Sequence, residues 1–183
     1  MKSIVASIRL VIATMLVCVG GYTALILAFA QTVTPATANG SMIKGKDGNI
    51  IGSRLIAQNF TNAIYFWPRP SAVDYNASAA GGSNKSPTSS DLTDRARQLV
   101  ARYGATLKNP LPPELAAASG SGLDPNITEH AALYQAARVA KARNIAVSQV
   151  EDLVKKLSFS PGGSLTEDRL VNLLELNLAL DRK

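Results

Sequence analysis

No Asp, Glu, Lys or Arg occurs between Arg9 and Lys44, and that gap limits the fold more than any other feature of the chain. Inside it, Leu10 to Ala30 (LVIATMLVCVGGYTALILAFA) is 21 residues of apolar, small or weakly polar side chains. As a helix rising 1.5 Å per residue the run covers about 31 Å, matching the hydrocarbon core of a bilayer. Backbone amides in lipid need internal partners, so a transmembrane helix is expected despite Thr14, Thr23 and Gly20-Gly21. A cleaved signal peptide is the rival reading, because Ala28-Phe29-Ala30 before Gln31 fits a small-x-small cleavage site. Length favours an uncleaved anchor, since a signal h-region runs about 7–15 residues. The Gly20-Gly21 pair would let another helix approach closely, but no GxxxG pattern accompanies it.

Orientation follows from the basic residues near the ends of the run. Lys2 and Arg9 precede it, and no Lys or Arg follows until Lys44. Residues 1–9 are therefore expected in the cytoplasm, 10–30 in the membrane, 31–40 as a spacer and 41–183 as an extracytoplasmic domain. The net charge of +6 falls to +4 beyond residue 30, where 17 basic residues face 13 acidic ones. That is too mild for nucleic-acid binding. Cys18 is the single cysteine and His130 the single histidine, so Cys/His metal sites and Ser-His-Asp hydrolysis have little to build on.

Beyond the spacer, short apolar stretches (42–43, 50–51, 54–56, 64–67) alternate with turn residues, and Lys46-Asp47-Gly48-Asn49 carries a hairpin signal. A small mixed sheet is expected here, followed by a long surface loop over 71–90. Ser90-Asp91 should open a helix to about Tyr103, stopped by Pro110, Pro112 and Pro113. Thr128 can cap a helix to about Arg143, with Ala132, Leu133, Ala136, Ala137 and Ala140 inward. Ser148-x-x-Glu151 has the form of a capping box for a third helix, which buries Val150, Leu153, Val154 and Leu157. Leu174, Leu176, Leu178 and Leu180 alternate with period two, which argues for a strand, while Leu170, Leu173 and Leu174 also suit a helix. The fold class is thus one N-terminal transmembrane helix followed by one α+β domain, with a small mixed sheet and three or more helices.

Candidate chemistry is sparse. The segment Ala80–Ser86 lacks both glycines that a phosphate loop requires, so a tight turn is the simpler reading. Arg69, between Pro68 and Pro70, is presented in a nearly fixed direction, suited either to a carboxylate or partner carbonyl or to clamping its own backbone. Asp124 precedes Pro125 and a helix, which suits capping; with Asn126 it offers only two oxygen ligands, too few for calcium. Asn39, Asn59, Asn76, Asn84 and Asn126 begin N-x-S/T sequons, a pattern that Asn/Ser-rich turns generate by composition. Helices 128–143 and 148–157 have helix-turn-helix spacing, but the charge bias places them away from DNA.

Taken together, the segments resemble the C-subunit family of the bacterial Kdp-type potassium-transporting ATPase. The matches are Asn39-Gly-Ser41, Gly52-Ser53-x-Leu55-Ile56-x-Gln58-x-Phe60, Tyr65-Phe66 with Arg69-Pro70-Ser71, Gly81-Gly82-Ser83-Asn84, Ser121-Gly-Leu-Asp-Pro125, Arg138-Val139-Ala140-x-Ala142-Arg143 and Leu176-Asn177-Leu178-Ala179-Leu180-Asp181. They occur in order over residues 8 to 181. Lys85-Ser86 departs from the family's usual Leu-Gly. Gln58, Arg69, Ser83, Asn84, Asp124, Asn126, Arg138 and Asn177 are the interface or structural candidates. The resemblance implies three partner subunits: an ATP-hydrolysing P-type ATPase, a channel-like potassium-binding subunit and a very small lipid-facing one. It also implies a bacterial inner-membrane location and a role described as a catalytic chaperone that raises ATP affinity. The charge bias, in contrast, places the domain across the membrane from ATP. The sequence has no Asp-Lys-Thr-Gly phosphorylation motif and no nucleotide fingerprint, so no catalytic centre and no cofactor bound by an own motif are expected. ATP and potassium would be handled by the complex. A lone surface-anchored binding or envelope protein is the alternative.

Overall fold

The computed structural model describes residues 2–45 and 47–182, with the backbone alone at Ser164. Met1, Lys183 and the Lys46 of the hairpin signal lie outside the described residues. Two compact units divide between Ile51 and Gly52.

The first unit begins with α1 (Lys2–Met15), a π-helical stretch (Leu16–Gly21) and α2 (Tyr22–Val33). Together they make 32 residues, long and apolar enough to cross a membrane, with none buried against the rest of the protein. Gly20 and Gly21 fall in the π-helical stretch, consistent with their weak hold on the i→i−4 pattern. Thr14 and Thr32 donate to the carbonyls of Leu10 and Ala28, at 2.8 and 2.9 Å, hiding their hydroxyls along the helix. The expected spacer is more ordered than its composition suggests. The helix runs on to Val33, and α3 (Pro35–Ala38) follows with Pro35 in its first turn, where no amide bond is lost.

The hairpin is present. Strands β1 (Met42–Lys44) and β2 (Ile50–Ser53) pair, the Gly45 amide donates to Asn49 O at 2.8 Å, and Gly48 takes φ +80°. The sheet expected over 41–67 stops there, because residues 54–56 and 64–67 join no ladder. The second sheet is formed far along the chain, where β3 (Asn126–Thr128) and β4 (Leu170–Asn172) pair antiparallel with Ile127 opposite Val171.

In the second unit the core is built by α6 (Glu129–Arg143), α7 (Val147–Leu157) and α8 (Leu173–Leu180) with the β3–β4 pair. It joins Phe66, Leu115, Ile127, Ala132, Ala136, Val139, Val150, Val154, Val171 and Leu176. Alanines on α6 allow close helix approach, consistent with a chain poor in aromatics. The inward face of α6 is rotated from the expected one: Ala131, Gln135 and Val139 are buried, while Ala137 faces solvent.

Three further elements differ from the expected detail, the first two because packing outweighs local signals and the third because a glycine ends the helix first. Of the strand and helix readings open for 174–180, the structure takes the helix; only Leu170–Asn172 is extended, and the Asn172 side chain caps α8 by accepting from Glu175 N at 3.1 Å. Four leucines with period two sit on a helix whose surroundings bury Leu173, Leu174, Leu176 and Leu180. The Ser148 capping box does not form. Ala146 occupies the N-cap of α7 without a side-chain bond, and Ser148 lies within the helix. Finally α4 (Ser90–Tyr103) ends at Gly104, left-handed at φ +63°, before any proline; a short helix, α5 (Pro113–Ala116), follows. Thr128 does cap α6, accepting from Ala131 N at 3.1 Å. Segment 71–89 carries no helix or strand, as expected of the loop.

A candidate interface built on interlocked loops

Residues 62–65 form a turn closed by Tyr65 N donating to Asn62 O at 3.1 Å, and Phe66 and Trp67 follow outside any sheet, their backbone polar groups bonded by side chains. The Asn177 carboxamide accepts from Phe66 N at 2.8 Å and donates to Phe66 O at 3.0 Å. The Gln135 carboxamide treats Trp67 the same way, at 2.8 and 3.1 Å. Asn177 from α8 and Gln135 from α6 thus satisfy the backbone groups that neighbouring strands would otherwise pair. Both are 1% exposed, and burial without these bonds would leave backbone groups unpaired. The sequence marked Asn177 as a candidate but missed Gln135. A lone polar residue on the alanine face of α6 was the available signal.

Arginines secure the same segment. Arg138 donates to Ala63 O, Tyr65 O and Gln135 Oε1 at 2.7, 3.0 and 2.7 Å. Arg143 reaches Ile64 O and Leu180 O, and pairs with Asp181 at 2.7 Å; Asp181 in turn accepts from the Tyr65 hydroxyl at 2.9 Å. The guanidinium carbons of Arg138 and Arg102 lie 3.7 and 4.0 Å from the Trp67 ring centroid, while Tyr103 meets the indole edge-on. Burial pushes Tyr103 up to about 12 and Arg138 down to about 10, which leaves the guanidinium charged near neutrality.

Arg69 follows directly. Its Nη1 lies 3.0 Å from Asp124 Oδ2, so the rigid Pro68–Pro70 presentation serves a contact within the chain. Asp124 is no helix cap. Its other oxygen accepts from Asn126 N at 3.0 Å, and Thr128 supplies the cap. Asn126 itself sits on β3 opposite Asn172.

The glycine motifs meet around this pair. Gly81 N donates to Ser121 O at 2.8 Å and Ser119 N to Pro70 O at 2.9 Å. Buried Ser119 accepts at Oγ from Gly122 N and Asp124 N, at 3.1 and 3.3 Å. Gly122 has φ +70°, and a Cβ there would stand 2.6 Å from Val73 Cγ2 and 2.9 Å from Gly81 O. Ser83 is half-buried at the end of this loop, and Asn84 is exposed in left-handed geometry at φ +48°. Gln58 lies elsewhere. Its amide lies over Gly52, whose missing Cβ leaves it room. The structure thus gathers Arg69, Ser83, Asn84, Asp124 and Asn126 around the interlocked loops, sets Arg138 and Asn177 behind them as supports, and leaves Gln58 with β2. No group of three or more His, Cys, Asp or Glu side chains able to hold a metal occurs among the described residues.

An apolar N-terminal helix followed by an α+β unit with such a loop face is the architecture, and comparison with known proteins defines the family. The family model described as KdpC: K+-transporting ATPase, c chain, matches residues 4–182. A potassium-transporting ATPase KdpC subunit from Parvibaculum lavamentivorans is 64% identical over 182 residues, spanning 100% of this chain and 97% of that protein. Proteins of the same name from Citrifermentans bemidjiense and Methylococcus capsulatus are 44% and 48% identical, over 188 and 169 residues. Those alignments span 100% and 87% of this chain, and 98% and 87% of the relatives. The chain belongs to the K+-transporting ATPase c-chain family.

Proposed function

We propose that this chain is an accessory subunit of an ATP-driven potassium uptake complex, anchored by the helix over Lys2–Val33 and assembled with the other subunits through the interlocked loop face. The observation that carries this reading is the family match over residues 4–182. The names of the relatives supply the transported ion and the multi-subunit ATPase. The partners are the ATP-hydrolysing P-type subunit, the channel-like potassium-binding subunit and the small lipid-facing one.

Lys2 and Arg9 support a cytoplasmic N-terminus in a bacterial inner membrane, with the outer part extracytoplasmic. On that topology the outer part stabilises the assembly or covers the potassium entrance, and ATP is bound by another subunit. Absence of the Asp-Lys-Thr-Gly motif from the sequence supports a chain without a catalytic centre of its own. Preorganisation supports the loop face as the contact surface. Its backbone is fixed by Ser119, Gly81 and the Arg69–Asp124 pair, so little conformational entropy is lost on binding.

Two experiments test this. Tagged protein extracted in mild detergent should bring down the P-type and potassium-binding subunits; isolation as a stable monomer would refute the assembly. In a Cys18→Ser background, an impermeant thiol reagent applied outside intact cells should label Ser90→Cys and spare Ser3→Cys. Labelling of position 90 only after lysis would reverse the topology and restore a direct contact with ATP.

A further inference from the structure

We infer that the α4–α5 corner docks on an anionic phospholipid surface, with Leu107 entering the headgroup region. This rests on the reading that Lys2–Val33 crosses a membrane. Leu107 is 103% exposed at the tip of the loop after α4, next to Lys108. Behind it, Val100, Ala105, Pro110, Leu111 and Ala116 wall a groove of about 580 Å³. No residue of α4 is fully buried, although Leu92, Ala96 and Leu99 form an apolar stripe.

Charge decides what this corner suits. The carboxylates of α4 and α5 are used locally: Asp91 pairs with Lys85 at 2.6 Å and Asp94 with Arg97 at 3.0 Å, while Glu114 of α5 accepts from the Thr128 hydroxyl. Arg102, stacked on Trp67, and Lys108 have no carboxylate within ion-pair distance among the described residues. Lys108 beside the protruding leucine and Arg102 at the end of α4 complement phosphate headgroups above acyl chains. A single leucine and two cations would hold a free protein weakly. Here only residues 34–51 lie between the apolar helix and the second unit, so the local lipid concentration is high and a weak contact suffices.

The test uses the full chain with Cys18→Ser and a nitroxide at Leu107→Cys, in nanodiscs of phosphatidylcholine alone or mixed with phosphatidylglycerol. A second label at Asp152→Cys on α7 is the control. With phosphatidylglycerol, the label at position 107 should become several-fold more accessible to oxygen than to a water-soluble nickel chelate, and the label at 152 should not. Lys108→Glu should return position 107 to water. A water-exposed 107 label on disc-bound chain would overturn the docking alone, as would equal insertion in both lipids. Shielding of 107 from both reagents in the assembled complex would overturn it in favour of a protein partner. Chain that fails to co-fractionate with the discs would refute the spanning helix, and the docking with it.

Discussion

Arg69 and Asp124 stand 55 positions apart in sequence and meet at 3.0 Å, joining the Pro68–Pro70 segment to the loop ahead of β3. Their side chains keep 26% and 32% of their surface, so solvent screens the pair in part. Arg69→Lys and Asp124→Asn should each cost about 1 kcal/mol, and the double variant less than their sum. Urea unfolding in detergent, followed by the fluorescence of Trp67, measures this directly; Trp67 is the only tryptophan. Unchanged stability with lost assembly for Arg69→Lys would mean that the arginine serves a partner and not its own fold.

The side-chain amides that replace a sheet should matter more. Asn177→Leu leaves both polar groups of buried Phe66 without partners and should cost about 2–4 kcal/mol. Gln135→Leu should do the same at Trp67 and also remove the bond that Arg138 donates to the Gln135 carboxamide. Asn177→Asp retains the acceptor for Phe66 N but not the donor for Phe66 O, so it should fall short of wild type as well. Full stability in Asn177→Leu would show that water enters and replaces the carboxamide.

Glycines at the loop contact are separable by substitution. Gly122→Ala combines a left-handed backbone with a Cβ 2.6 Å from Val73, and should destabilise by about 1–3 kcal/mol. Gly120→Ala meets nothing within 4 Å and should change stability by less than about 0.5 kcal/mol. Equal effects at the two positions would contradict the interlocking of loops 71–89 and 119–124.

Alkaline pH should loosen the second unit through Tyr103. Burial raises its folded-state pKa from 10.0 to about 12, so folding favours the protonated phenol. The stabilisation is complete below pH 10 and is lost as pH rises toward about 12, by roughly 2 kcal/mol. Tyr103→Phe should flatten that part of the stability profile, and an unchanged alkaline slope would assign the loss to other groups.

Much of this architecture was legible in the chain itself. The charge-free run between Arg9 and Lys44 fixes a long apolar helix because length and hydropathy are local properties. Thr128 as a cap, Asp47-Gly48 as a turn and the 90–103 helix were equally local, since each signal acts within about four residues. The ordered motifs also pointed to the family, because their identities survive without any knowledge of contacts. What the chain could not show was where distant groups meet. Tyr65-Phe66-Trp67 has the composition of a strand but joins no sheet, and the backbone partners of Trp67 and Phe66 are the side chains of Gln135 and Asn177, 68 and 111 positions away. Leu174–Leu180 alternates like a strand, yet burial among α6, α7 and β4 makes it a helix capped by Asn172. Arg69 carried no mark of which carboxylate it would find. Those outcomes depend on long-range packing, in which burial of apolar surface outweighs propensities of a few tenths of a kcal/mol per residue, and only the assembled core decides them.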